Sequence, residues 1–108
     1  MKRLALCLLA FAVLSAAQAK RTFTGIITDS MCDRGDHSQM RMGPTDAECA
    51  KACISDHGAS YVLYDGKDSY TLSDQSTAEK FVAKKVDVVG ALDAKTKTIK
   101  VDSISLAK

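Results

Sequence analysis

From Thr22 to Asp29 apolar and polar positions alternate and β-branched residues recur, the period of a strand with one buried face. Residues 30–44 lose that rhythm. Ser, Gly, Asp and Pro are interspersed with three methionines, and a loop of this length suggests a purpose. Thr45-Asp46-Ala47-Glu48 is a capping box, so a helix is expected from Asp46 to about His57, with Gly58 in the left-handed position that ends it. Ala50 and Ile54 form its core-facing stripe. Tyr61–Tyr64 and Asp68–Leu72 read as short strands joined by a turn through Asp65-Gly66-Lys67. Ser76-Thr77-Ala78-Glu79 repeats the capping pattern and opens a second, short helix that packs with Phe81 and Val82. Val86–Leu92 and Thr98–Leu106 make a closing hairpin, with Gly90 marking a bend or bulge. Ile99 and Val101 share one face of the last strand, whereas Ile104 and Leu106 fall on the other. That change of parity predicts a bulge or a barrel corner.

Five short strands, a helix between strands 1 and 2 and a short helix before strand 4 point to an α+β, mainly β domain. Bent strands with an internal glycine favour a small, partly open, five-stranded OB-like barrel. An open antiparallel α+β sheet is the alternative. No internal repeat, low-complexity tract or linker interrupts the chain.

The first 19 residues have a different pattern. Lys2 and Arg3 precede an unbroken apolar run from Leu4 to Leu14, and Ala17-Gln18-Ala19 is a small-x-small cleavage site, the three parts of a secretory signal. The run is 11 residues long, against about 20 for a membrane span. Cys7 lies too early in it for a lipid-attachment box. Residues 20–108 are then one small domain, periplasmic or secreted, with no membrane span after cleavage. Lys2 and Arg3 leave with the leader, so 13 basic residues face 13 acidic ones, and no basic patch remains to bind nucleic acid. A core this small is marginal unless disulfides or a metal reinforce it.

Cys32, Cys49 and Cys53 remain, an odd number for an oxidising compartment. Cys32 and His37 lie on the long loop; Cys49, Cys53 and His57 follow at i, i+4, i+8 on one side of the helix. Sulfur and imidazole together suit Zn²⁺ or Cu⁺, and Met31, Met40 and Met42 on the loop tilt the choice toward copper. The same cysteines are disulfide candidates. Cys32 paired with Cys49 or Cys53 would tie the loop to the helix, worth about 3 kcal/mol. A Cys49–Cys53 bridge is disfavoured by helix geometry. Both arrangements coexist if a metal uses the third cysteine with the histidines.

Plainer roles are available for each residue. His37 can be a solvated loop imidazole, His57 can complement the helix dipole, and Asp29, Asp33 and Asp36 read as turn or cap residues. A thiol-redox protein is the competing class, with Cys49 near a helix N-terminus as its reactive thiolate. The spacing is C-x3-C, however, and no nucleophile elbow is present, so the sequence favours a non-enzymatic domain that binds an unknown protein or small ligand. The odd thiol leaves a covalent dimer open.

The string Thr24-Gly25-Ile26-Ile27-Thr28-Asp29-Ser30-Met31-Cys32, with His37, Cys49-x3-Cys53, Gly58-Ala59 and Tyr61-Val62-Leu63, resembles a family of short exported bacterial proteins whose domain has no assigned function. The resemblance implies an envelope location and a small β-rich domain, and no activity. The ending Val86–Ile104 is more distantly similar to the closing strands of periplasmic OB-fold proteins.

Overall fold

The computed structural model describes residues 19–39 and 41–108. The expected leader, Cys7 included, lies outside the described residues except for Ala19, as does Met40. Five strands and two helices follow in the order β1 (Arg21–Asp29), α1 (Asp46–His57), β2 (Tyr61–Tyr64), β3 (Ser69–Leu72), α2 (Gln75–Glu79), β4 (Lys85–Asp93) and β5 (Thr98–Leu106). The strands close into a ring in the order β1-β2-β3-β5-β4. This is the expected α+β, mainly β, OB-like barrel, and the open-sheet alternative is set aside.

β1 is long because it serves two neighbours. Arg21–Ile26 pairs with β4 and Ile26–Asp29 pairs with β2, both antiparallel. At the changeover sits Gly25, where a Cβ would run into the Tyr64 carbonyl of β2. Only glycine lets the strands approach so closely at the corner. β4 and β5 are antiparallel with a shift between Val89 and Gly90: Gly90 faces Val101 and Val89 faces Ser103, leaving Asp102 as the extra residue. The bulge returns Ile104 to the side of Val101, and both pack against the core. The change of parity in the sequence thus had this physical cause.

The ring is uneven. Its thinnest seam is β3–β5, parallel and only two residue pairs long. Thr71 N–H to Lys97 O at 2.9 Å, Ser73 N–H to Ile99 O at 3.0 Å and Val101 N–H to Ser73 Oγ at 2.8 Å extend it. Inside lie Phe23, Ile27, Leu63, Leu72, Val86, Val88 and Ile99, with Ala50 of α1 and Ala78 of α2 as small contact points. Among the described residues no helix is long and apolar enough to cross a membrane.

Both helices lie where the sequence placed them, but one cap differs. Thr45 caps α1 as expected, its Oγ1 accepting from Glu48 N–H at 3.2 Å, and Gly58 ends the helix at φ 67°. α2 is capped by Asp74 rather than Ser76: its Oδ1 accepts from Thr77 N–H at 3.0 Å and its Oδ2 from the Thr77 hydroxyl at 2.7 Å. A carboxylate with two oxygens takes one donor on each, so the Thr77 amide and hydroxyl need not share an acceptor.

Candidate metal centre

The inward face of β1 carries Phe23, Gly25, Ile27 and Asp29, alternate residues of one strand. Asp29 is therefore delivered to the barrel interior by the same parity as Ile27, and it is fully buried. Thr28 points the other way and is nonetheless buried, because the loop after β1 folds over it.

Asp29 organises that loop. Its Oδ1 accepts the backbone N–H groups of Met31 and Cys32, each at 2.9 Å, an Asx turn that fixes Cys32 beside the strand end. The Thr28 hydroxyl donates to the Cys32 carbonyl at 2.9 Å and lies 3.5 Å from His37 Nε2. His37 is 4% exposed, so its imidazole is a wall residue and not a solvated side chain. A cavity of about 160 Å³ adjoins Thr28 and His37 from outside, with Arg34 and Tyr64 on its rim.

The other oxygen of the Asp29 carboxylate is not used in the turn. Oδ2 and His37 Nδ1 face each other at 3.8 Å, both buried and both without a hydrogen-bond partner. Cys32, 8% exposed, completes the group: one donor atom from each of Asp29, Cys32 and His37 lies within 4.8 Å of the other two. Metal–ligand bonds of 2.0–2.3 Å at tetrahedral angles separate ligand atoms by roughly 3.3–3.8 Å. Small side-chain rotations would draw the three donors onto one ion. The group can hold a metal ion.

Helix α1 supplies the neighbourhood. Cys49 and Cys53 are buried on the side turned toward β1. The Cys53 thiol is pushed up to about 11 by burial first, and then by the Asp29 carboxylate, against which it lies. Burial and Asp29 also push Cys32 upward. Cys49 Sγ accepts from Met42 N–H at 3.2 Å. Gly43 lets the loop come this close, because a Cβ there would press on the Cβ of Glu48 and the start of Cys49.

Of the residues expected from the sequence, Cys32 and His37 meet in one group, and Cys53 lies beside it at Asp29. Cys49 lies on the same buried side of the helix, and His57 does not join them. It is exposed on the last turn of α1. Each four-residue step along a helix rotates a side chain by about 40°, so His57 has swung about 80° from Cys49. Met31 is 43% exposed, and Met42 approaches Cys49 through its backbone. No disulfide joins Cys32, Cys49 and Cys53 among the described residues, so the expected staple is not formed. Hydrogen bonds tie the loop down instead, including Ser69 Oγ to Asp33 O at 2.6 Å. Asp29 is the residue that sequence reasoning missed. Its turn role is legible in the sequence, but the free second oxygen depends on the fold.

No family model matches the chain, and neither a curated protein nor a solved structure matches it.

Proposed function

We propose that this chain is an exported, non-enzymatic domain of the bacterial envelope in which Asp29, Cys32 and His37 hold one zinc ion. The observation that carries the reading is the pair of unpartnered buried atoms, Asp29 Oδ2 and His37 Nδ1, at 3.8 Å beside a cysteine. A buried polar atom left without a partner costs about 1–3 kcal/mol, and more if charged. A cation between the two removes both penalties.

The donor set favours zinc over copper. A carboxylate, an imidazole and a thiolate are all good ligands for Zn²⁺, whereas Cu⁺ prefers soft thiolate and thioether. The copper argument rested on the methionines. Met31 is 43% exposed and Met42 meets Cys49 through its backbone, so these two lend that argument no support, and Met40 lies outside the described residues. A reactive thiolate is also disfavoured at Cys32 and Cys53, whose raised pKa values keep them protonated at neutral pH. Export is inferred from the pattern of residues 1–19, in line with the resemblance to short exported proteins.

The test is to express the full chain in a bacterial host, purify it from the periplasm, and determine mass, thiol content and metal together. The expected product begins at Lys20, has its cysteines reduced and binds one zinc per chain. Cobalt should substitute and give the intense visible bands of a tetrahedral site with a thiolate ligand. A cytoplasmic product with its leader intact would overturn the export reading. A product with a disulfide that takes up no zinc even after reduction would overturn the metal reading and restore the staple.

A further inference from the structure

We infer that Thr28 is a positioning residue of this centre: its hydroxyl fixes His37 as the Nε2–H tautomer, leaving Nδ1 as the bare lone pair offered to the metal. The inference rests on the zinc reading for its purpose but not for its geometry.

A threonine hydroxyl has one hydrogen to give and two lone pairs with which to accept. The Thr28 hydrogen is committed to the Cys32 carbonyl at 2.9 Å. Toward His37 Nε2, 3.5 Å away, Oγ1 can therefore only accept. Nε2 must carry the ring hydrogen to use that acceptor, and a neutral imidazole with its hydrogen on Nε2 has none on Nδ1. Nδ1 is the atom that faces Asp29 Oδ2 without a partner. In that tautomer two acceptors face each other across a buried gap, an arrangement that a cation between them would relieve. The alternative tautomer would place two lone pairs between Oγ1 and Nε2, and its Nδ1–H would face Asp29 Oδ2 at 3.8 Å, beyond hydrogen-bond distance.

The chain His37 Nε2–H to Thr28 Oγ1–H to Cys32 O also links two ligand residues through one hydroxyl. Metal-bound histidines are generally held in this way, the second ring nitrogen donating to a fixed oxygen that sets both tautomer and ring orientation. Here the fixed oxygen belongs to the residue just before Asp29 on β1, so a rigid strand carries both a ligand and the positioner of another ligand. Thr28 is 1% exposed, so its hydroxyl is held within the protein at this position.

Nitrogen-15 NMR of the histidine rings in the processed protein reads the tautomer directly. The chain has two histidines, and exposed His57 serves as the internal reference. In metal-free protein at pH 8, His37 should show a pyrrole-type Nε2 and a pyridine-type Nδ1. Zinc should shift Nδ1 and leave Nε2–H in place. Thr28→Val should release the tautomer preference and weaken zinc binding by about 10–100-fold, the usual effect of losing such a partner. Thr28→Ser should restore both. A metal-free His37 with its hydrogen on Nδ1 overturns the inference, and so does a folded Thr28→Val with an unchanged tautomer. The wild-type spectrum decides even where Thr28→Val does not fold. An Nε2–H tautomer in a protein that binds no zinc would leave the inference standing and sink the zinc reading alone.

Discussion

Asp29 and Tyr61 face each other across the β1–β2 pair, and a polar side-chain group lies beside each of them. Beside Tyr61, the Gln75 carboxamide is fully engaged: Oε1 accepts from Tyr61 N–H at 2.7 Å, and Nε2 donates to Tyr61 O at 2.9 Å and Leu72 O at 2.7 Å. Both of its hydrogens are used, and they brace β2, β3 and the start of α2 together. Beside Asp29, one carboxylate oxygen and one imidazole nitrogen are buried without a hydrogen-bond partner. Polar groups that exist to hold a fold are normally satisfied within it. The group that is not satisfied is the one that can take an ion from outside the chain, and on the zinc reading the two should respond oppositely to metal and to substitution.

The largest effect should be on zinc. His37→Ala removes a ligand and should lower zinc affinity by at least about 1,000-fold, roughly 4 kcal/mol. Gln75→Ala, close by on the other side, should leave it within about threefold of wild type. Competition against a chromogenic chelator measures both. Equal losses in the two variants would mean that the centre merely reports on the integrity of the fold, and the contrast between the groups would vanish.

Next in size is the stability of the satisfied group. Gln75→Ala leaves the Tyr61 N–H and two carbonyls in half-buried surroundings, and at about 1 kcal/mol each the cost should be near 3 kcal/mol. Urea unfolding of metal-free protein should show this as a lower midpoint with an unchanged slope. A loss under 1 kcal/mol would show that water replaces the amide, and that Gln75 is no brace.

How much of this was legible in the sequence follows the same division. The strands, the two helices and an irregularity in the closing hairpin were readable because each has a local cause: alternation, a capping pattern or a parity change. The β3–β5 seam was not, since it depends on backbone bonds and the Ser73 hydroxyl between segments far apart in sequence. Cys32 and His37 were legible by residue type. His57 was misleading, because an i, i+8 spacing tolerates a rotation large enough to leave the buried face. Asp29 carried a usable signal in its shared parity with Phe23 and Ile27, but an aspartate at a strand end reads first as a turn residue, and here it is one.

The strand pair can also be probed by pH. Burial first, and then the Glu79 carboxylate at 3.5 Å, push the Tyr61 phenol up to about 12 from its ordinary value of 10, with a smaller contribution from Asp29. A folded-state pKa above the unfolded one gives stability that is complete below pH 10 and lost as pH rises from 10 to 12. The loss should reach roughly 2 kcal/mol across that window. Cys53 adds an earlier loss between its ordinary 9 and about 11. Tyr61→Phe should flatten the decline above pH 10 and leave the earlier part unchanged, as measured by urea midpoints from pH 8 to 12. A Tyr61→Phe curve parallel to wild type throughout would show that the phenol ionises in the folded state as readily as in the unfolded.

The smallest effect has the most informative sign. Asp29→Asn keeps an oxygen to accept from Met31 and Cys32 N–H, and it replaces Oδ2 by an amide that can donate to His37 Nδ1. The two backbone bonds weaken because the acceptor is no longer charged. Against that, a carboxylate with no access to solvent is replaced by a neutral group, and two facing acceptors become a donor and an acceptor. The second change should win, so metal-free Asp29→Asn should be more stable than wild type by about 1 kcal/mol, while its zinc affinity falls steeply. Metal-free unfolding alongside a zinc titration tests the pair of signs. If the variant is instead less stable by 1 kcal/mol or more without metal, the carboxylate serves the loop as Gln75 serves the strands. The unpartnered oxygen would then be a tolerated cost of the Asx turn, with no metal needed to account for it.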